Sequence, residues 1–459
     1  MGIRTLLWAG FFFGTCIAAF ANPIWGLIGY IGHYTVGPES QWWALPVNSL
    51  GLRYSFTLAG CTAIGIFLHR MKSTFRGGLL HNQQKLILVF LGIVWMTTLI
   101  SPETVGRYTS VDHPSVKLTK VVIFCFMLCH VATTLKDFNR VLMILVIGAF
   151  VLGQKAYEMP RSAFIGGRLE GVGGPDFAES NFFAAFLVGV LPIIGVQFFR
   201  ATGYVKLVCL VSGVFVTNAI VLARSRGAFL ALAATAIVAV FYAPKHLRNK
   251  IYLGLILAAI GAFRLADEQF LERMTTIFVS AEDRDSSSDM RLEAWKAGLR
   301  MVQNHPLGIG TGNWYQQIPR YAPDLGGLDS HSTYVKLLAE QGFLGAIVFG
   351  SILLSAFFTL RRVRRRAINL PPELSMDFQM LSLGLTLSMV GFFLCCGLIT
   401  LLYMEALWWF LVLPICLERT LDHSEQKWLE EHQANRQGNS SRMGNHKGEH
   451  SQSFHEATV

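Results

Sequence analysis

Stretches of roughly twenty apolar residues recur along this 459-residue chain, and they constrain its fold more than any other feature. A helix needs about 20 such residues to cross the hydrocarbon core of a bilayer. Inside that core only helices and closed barrels satisfy every backbone polar group. Runs of this kind fall at about 5–36, 54–69, 84–100, 116–134, 138–153, 180–199, 205–222, 227–242, 251–264, 333–360, 377–398 and 400–417. The first is long enough for one broken helix or two. The pattern predicts an all-α polytopic integral membrane protein with about 12 spans. Composition agrees, because charged residues make up only 15% of the chain, against about a quarter in a soluble protein. The first run has little charge before it and continues through Asn22-Pro23 into a second run, so it does not read as a cleaved signal peptide.

The net charge of +10 would suggest a nucleic-acid partner in a soluble protein. Here the excess sits in short loops, the pattern of loops held on the cytoplasmic side, and no nucleic acid is expected. Arg70, Lys72 and Arg76 share one loop, Lys136 and Arg140 another, and Arg200 and Lys206 a third. Lys245, Arg248 and Lys250 form a fourth, and Arg361, Arg362, Arg364, Arg365 and Arg366 a fifth. The alternate loops, at about 101–115, 154–179, 223–226, 265–330 and near 399, then face outward. The eight cysteines all lie in apolar runs, without zinc spacing or a disulfide framework, and read as small packing residues.

The outer loop at about 265–330 stands apart. It carries ten acidic residues against six Lys and Arg, in a chain otherwise made of apolar runs. Within it, Leu292, Trp295, Leu299 and Val302 recur at helical spacing, so 289–303 reads as an amphipathic helix with Asp289 as its cap. Asn304-His305-Pro306 stops that helix. Gly308, Gly310 and Gly312 follow, where backbone amides can approach a ligand closely. The domain reading is one membrane unit over 1–418 with this loop as its large outer feature. Residues 419–459, rich in Glu, Gln, Asn, Ser and His, are expected to form a disordered cytoplasmic tail.

Several polar residues fall where chemistry is plausible. His331 sits at the first turn of the 333–360 span, on the outer side. The positive end of the helix dipole disfavours imidazolium there, and a neutral imidazole is what a general base needs. The plainer alternative is an interfacial or capping residue. Arg224 and Arg226 lie between two apolar runs, where charge is costly and usually faces a polar cavity or partner. Two arginines beside a helix start suit a phosphate or diphosphate. The competing reading is snorkelling to the interface, weakened because basic residues are disfavoured in an outward loop. Arg291 and Arg300 read equally as a solvated helix face. Arg168, in the glycine-rich stretch 165–176, and Arg161 just before it line a ligand site or an ordinary loop. Asp176 and Glu179 read as helix caps. Trp42, Trp43, Trp314, Tyr315 and Tyr321 suit an interfacial belt. The sequence has no Walker A motif and no acidic diphosphate–metal motif, so no cofactor and no metal are expected, and an anionic leaving group would have to be met by arginine.

Three segments together resemble the O-antigen ligase and polymerase superfamily of membrane glycan ligases. They are Arg224-Ser-Arg-Gly-Ala-Phe-Leu230, then Arg291 with Trp295 and His305-Pro-Leu-Gly-Ile-Gly310, then His331-Ser-Thr-Tyr-Val-Lys-Leu-Leu-Ala-Glu-Gln-Gly-Phe-Leu-Gly345. The resemblance covers roughly 180–360. The segment from Gly166 to Asn181 and the run Glu272-Arg-Met-Thr-Thr276 look like the O-glycosylation ligases associated with exosortase systems. The resemblance implies a metal-independent inverting glycosyltransferase of the bacterial inner membrane, with its active site toward the periplasm. Such an enzyme takes a glycan from an undecaprenyl-diphosphate carrier and passes it to an acceptor hydroxyl on a glycan, lipid or protein. Carried onto this sequence, the resemblance implies His331 as the base and Arg226 and Arg291 as the diphosphate grip, with Arg224 helping and Arg226 favoured over it because it adjoins Gly227. Glu340 also matches a family position, in a supporting or structural role, and Arg168 is a further supporting candidate.

Two alternatives compete with a ligase. A polymerase of the same superfamily would use a second lipid-linked glycan as acceptor. A transporter of lipid-linked oligosaccharide belongs to another class. Transporters often carry paired half-sequences or helices broken at mid-membrane. This chain has no such repeat, and its polar residues gather outside the spans.

Overall fold

The structure is a computed structural model. It describes residues 2–69, 80–101, 110, 112–174, 176–244, 248–266, 268, 270, 271 and 286–452. Arg70, Lys72, Arg76, Lys245 and the Glu272–Thr276 run lie outside the described residues.

The chain is almost entirely helical. The first half comprises α1 (Ile3–Ala21), α2 (Ile24–Val36), the single turn α3 (Leu45–Asn48), α4 (Tyr54–Leu68), α5 (Asn82–Ile100), α6 (Pro114–Val131), α7 (Leu135–Glu158) and α8 (Ser180–Arg200). The second half comprises α9 (Gly203–Ala223), α10 (Arg226–Tyr242), α11 (Arg248–Leu265), α12 (Ser286–Asn304), α13 (Trp314–Tyr321), α14 (Thr333–Ala367), α15 (Pro372–Cys396) and α16 (Glu405–Gln452). One two-stranded hairpin, β1 (Phe164–Ile165) and β2 (Arg168–Leu169), interrupts them.

The long first apolar run is two helices. Pro23 lacks an amide hydrogen, and Asn22 turns its side chain to accept from the Ile24 amide at 3.1 Å, so the chain breaks between α1 and α2. Seven described helices are long and apolar enough to cross a membrane: α1, α5, α6, α8, α9, α14 and α15. The expectation of about 12 counted runs that fall short of this standard. Helices α4 and α10 are apolar but only 15 and 17 residues long. Helix α2 has 13 residues, and α7 and α11 carry charges in their first turns. The polytopic all-α architecture itself is borne out.

The bundle is packed around α8, α15 and the first half of α16. Aromatic side chains fill its centre: Trp408 meets Phe90 with ring centroids 5.4 Å apart, and Phe410 meets Phe392 at 4.8 Å. Offset and edge-on pairs of this kind are favourable beyond the area they bury. The outer faces of α9, α10 and α11 carry exposed Leu210, Val214, Phe241 and Leu257, as helices facing lipid do.

The two ends of the bundle differ in chemistry. At one end, basic side chains gather. Arg200 donates to Asp377 at 3.0 Å and to Asn139 at 2.9 Å, and Arg362 pairs with Glu418. Helix α16 runs past Arg419 as far as Gln452. Its stretch nearest the bundle carries a docked acidic stripe. Glu418, Asp422 and Glu425 recur at helical spacing, and Arg366 reaches Asp422 at 2.5 Å and Glu425 at 2.6 Å.

At the opposite end the outer loop is locked onto α14. Helix α14 is broken at Gly342, with φ 65° and ψ −170°, a conformation essentially confined to glycine. The break frees backbone groups that the glycine loop then pairs. The Ile309 amide donates to the Ala339 carbonyl at 2.9 Å, Gly310 to Glu340 at 3.2 Å, and Phe343 to Pro306 at 3.1 Å. The two sequence segments His305–Gly310 and Glu340–Gly345 are therefore one interlocked structure.

Candidate active site

His331 is placed by the turn between α15 and α16. The Thr333 amide donates to the Ile399 carbonyl at 2.9 Å, and the Thr333 hydroxyl donates to the same carbonyl at 2.7 Å. That hydroxyl also accepts from the Leu401 amide at 2.8 Å, and Ser330 meets Thr400 hydroxyl to hydroxyl at 2.9 Å. Ser332 caps α14 by accepting from Val335. Between these anchors His331 has φ 47°, an uncommon left-handed conformation for a residue with a side chain. Among the described residues only Arg224, with φ 46°, shares a positive φ without being glycine. Both belong to the segments that the sequence singled out, and strained backbone of this kind clusters at functional sites.

Asp329 braces the same turn. Its carboxylate accepts from Lys336 at 3.1 Å, from the Tyr315 hydroxyl at 3.1 Å and from the His331 amide at 3.4 Å. Burial pushes this carboxyl up, but Lys336 and the hydrogen bonds outweigh it and hold it below the usual range. Neither ring nitrogen of His331 has a hydrogen-bond partner among the described residues, so Asp329 orients the backbone of His331 and leaves the imidazole free.

Helix α12 lies over this turn. The indole Nε1 of Trp295 donates to the Ser330 carbonyl at 2.9 Å, fixing the helix one residue from His331. Arg291 lies one turn earlier on α12, on the same side. Its Nε is buried without a hydrogen-bond partner among the described residues. Burial, with Arg168 and Arg226 beside it, pulls its pKa below the usual arginine value, while Glu179 opposes this. Buried guanidinium donors left unpaired are costly, and an anionic group is what would satisfy them.

Arg224 and Arg226 diverge, because the helix junction sends them to different neighbours. Arg224 caps the end of α9 and is buried. It donates to the Gly167 carbonyl at 2.9 Å and lies over the Phe164 ring at 5.1 Å. It therefore clasps the β1–β2 hairpin, whose turn residues Gly166 and Gly167 both have positive φ as a tight two-residue turn requires. Arg226 begins α10 after the Ser225 cap and lies among the charges around Arg291. The hairpin clasped by Arg224 presents Arg168, whose field reaches Arg291, His331 and Glu179.

The structure thus brings His331, Arg291, Arg226 and Arg168 into one electrostatic neighbourhood, with Arg224 behind it. Burial lowers the His331 pKa, and Arg291 and Arg168 lower it further, against the pull of Asp329. The imidazole is neutral at neutral pH. The N-termini of α8 and α10 also meet here: the Ser225 cap of α10 donates to Asn181 in the first turn of α8 at 2.8 Å. These positive helix ends add to the field for an anion.

Glu340 does not join this neighbourhood. It is fully buried, and its carboxylate accepts from the Tyr403 hydroxyl at 2.5 Å and the Trp314 amide at 3.4 Å. It ties the glycine loop to the α15–α16 turn. Glu179, by contrast, reads in the sequence as a helix cap, yet it faces the arginines. Burial raises its pKa, the Asn181 bond opposes that, and Glu170 and Asp329 add to it. Its role was hidden because Glu170, not Glu179, caps α8, accepting from the Ser180 amide at 2.9 Å. No group of three or more His, Cys, Asp or Glu suited to a metal ion occurs among the described residues.

Residues 211–350 match the family described as O-antigen ligase. No curated protein matches the chain.

Proposed function

We propose, on the support of the match between residues 211–350 and the O-antigen ligase family, that the chain transfers a glycan from undecaprenyl diphosphate to an acceptor hydroxyl, at the outer face of the bacterial inner membrane. The observation that carries this reading is a neutral, unbonded His331 beside Arg291, Arg168 and Arg226. The imidazole takes the proton of the acceptor hydroxyl. The acceptor oxygen attacks the anomeric carbon from the face opposite the diphosphate, forming the new glycosidic bond with inversion as the bond to the phosphate oxygen breaks. Undecaprenyl diphosphate leaves, and the charge that develops on it meets Arg226, Arg291 and Arg168.

Arginine suits this task because its fork of donors matches phosphate oxygens and its charge is constant. Preorganised donors aimed at a developing charge are commonly the largest contribution to such a rate. No step requires a metal ion. Arg224 supports the site by holding the hairpin, and Glu340 by holding the glycine loop.

The test is transfer of a labelled glycan from undecaprenyl diphosphate in membranes containing EDTA. Wild type is expected to transfer label to an acceptor, and His331→Ala, Arg226→Ala and Arg291→Ala to be inserted normally but inactive. Full transfer by His331→Ala would remove the base from this mechanism, and loss of wild-type transfer with EDTA would remove its independence of metal.

A further inference from the structure

We propose that the basic end of the bundle holds a second binding site, for the phosphate of an anionic phospholipid. A cavity of 380 Å³ opens there between the start of α5 and the second half of α14. Its α14 wall is one helical stripe of Ser351, Leu354, Ser355, Phe358 and Arg362, spaced so that all face the same way. His81 and Asn82 form the facing wall.

The stripe is graded from apolar to cationic. Leu354 and Phe358 are 57% and 59% exposed, on a helix long and apolar enough to cross a membrane, and give an acyl chain a surface to lie on. Ser355 puts a hydroxyl beside them, while that of Ser351 donates to the Ile347 carbonyl at 2.8 Å. Arg362 ends the stripe where the basic run of α14 begins, and long basic side chains at the end of a span reach lipid headgroups.

Arg362 is only partly committed. Its Nε donates to Glu418 at 2.5 Å and its Nη2 to Glu418 at 3.0 Å and Thr359 at 3.2 Å. Its Nη1 makes no hydrogen bond among the described residues. Glu418 also takes His81 Nε2 at 3.0 Å, so this carboxylate fixes both side chains in place behind the cavity. Asn82 opens α5 beside the His81 cap, and Lys85 adds a positive charge next to it, donating to the Asn82 side-chain Oδ1 at 3.4 Å. A cavity with a free guanidinium edge, a hydroxyl, a nearby lysine and an apolar ramp matches a phosphodiester with its acyl chain. Free phosphate would use the cations and leave the ramp unused. None of these residues belongs to the site around His331.

The test uses the full chain in zwitterionic detergent, with retained lipid counted by native mass spectrometry and unfolding followed thermally. Phosphatidylglycerol is expected to give a single saturable adduct and a rise in Tm, and phosphatidylcholine to give neither. Ser355→Phe, which fills the cavity without touching the Arg362–Glu418 pair, is expected to lower occupancy about tenfold, or 1.4 kcal/mol, with an unchanged Tm in detergent alone. Asn82→Leu is a second variant and should weaken retention in the same sense. Equal retention of phosphatidylcholine would overturn the proposal, as would undiminished binding by both variants. A full Tm rise with inorganic phosphate alone would overturn the assignment to lipid.

Discussion

Replacing Gly342 by alanine tests whether the broken α14 holds the outer loop. The added Cβ would lie 2.3 Å from the Pro306 carbonyl oxygen, 2.5 Å from the Leu307 carbonyl carbon and 2.7 Å from the Gly308 nitrogen. All three are backbone atoms, so no side chain can swing aside. The conformation at Gly342 costs a residue with a Cβ about 1–3 kcal/mol. Moving the loop away sacrifices three backbone hydrogen bonds, at about 1 kcal/mol each. The expected destabilisation is about 4 kcal/mol, which for a chain of this size lowers Tm by about 4 °C. Gly350→Ala is the control. It lies in the same helix with open space around its Cβ and should gain up to about 1 kcal/mol from helix propensity. Gly308→Ala should resemble Gly342→Ala, because its Cβ would lie 2.4 Å from the Glu340 carbonyl oxygen. The double variant should cost less than the sum, since both break one interlock. Thermal unfolding of the four variants beside wild type in one detergent decides the matter. A Gly342→Ala protein melting within a degree of wild type would refute the reasoning.

Other expectations concern the chemistry. His331→Gln should slow transfer by about 10²–10⁴-fold, the usual contribution of a general base, with unchanged Tm; a smaller loss in single-turnover assays would count against a base. A base must be unprotonated, and His331 is held below its usual pKa by burial, Arg291 and Arg168. Wild-type transfer should therefore fall only as pH drops below about 6.5. Arg291→Gln removes a lowering charge and should move that acid limb to higher pH, so a limb that stays put or moves lower contradicts the assignment. Arg224→Ala should lower Tm by several degrees, because it loses the Gly167 bond and the contact with Phe164, whereas Arg226→Ala should lower transfer with little change in Tm. Equal effects of the two on Tm would refute their division of roles.

Much of the fold was legible because a membrane span announces itself by composition alone. Helices α8, α9 and α15 follow directly from their apolar runs. The chain's helix ends were legible where chemistry marks them, as at Asn22-Pro23. The candidate site was legible as a set of residues but not as an arrangement. Arg224 and Arg226 look equivalent in the sequence, and only the left-handed turn at Arg224 separates them. Glu340 sits in the same motif as His331, yet the break at Gly342 and the Tyr403 hydroxyl give it a structural task. The roles of Glu179 and Thr400 were not legible because they depend on contacts far along the chain, Thr400 with Ser330 70 residues away and Glu179 with the charge of Arg291. The acidic stripe of Glu418, Asp422 and Glu425 looks like solvated surface until its partner Arg366 on another helix is known.

The junction between α9 and α10 carries a consequence for how this chain can change. Only Arg224 and Ser225 separate the end of one helix from the start of the next. A helix turns about 100° and rises 1.5 Å for every residue. One residue gained or lost here would swing Arg226 out of its position by about that angle, or drag Arg224 from the hairpin it clasps. Exchanges of side chain along α10 leave that phase intact. The segment should thus tolerate varied spelling but not a varied length, and an insertion of a single alanine between the two arginines should be more damaging than alanine in place of either one.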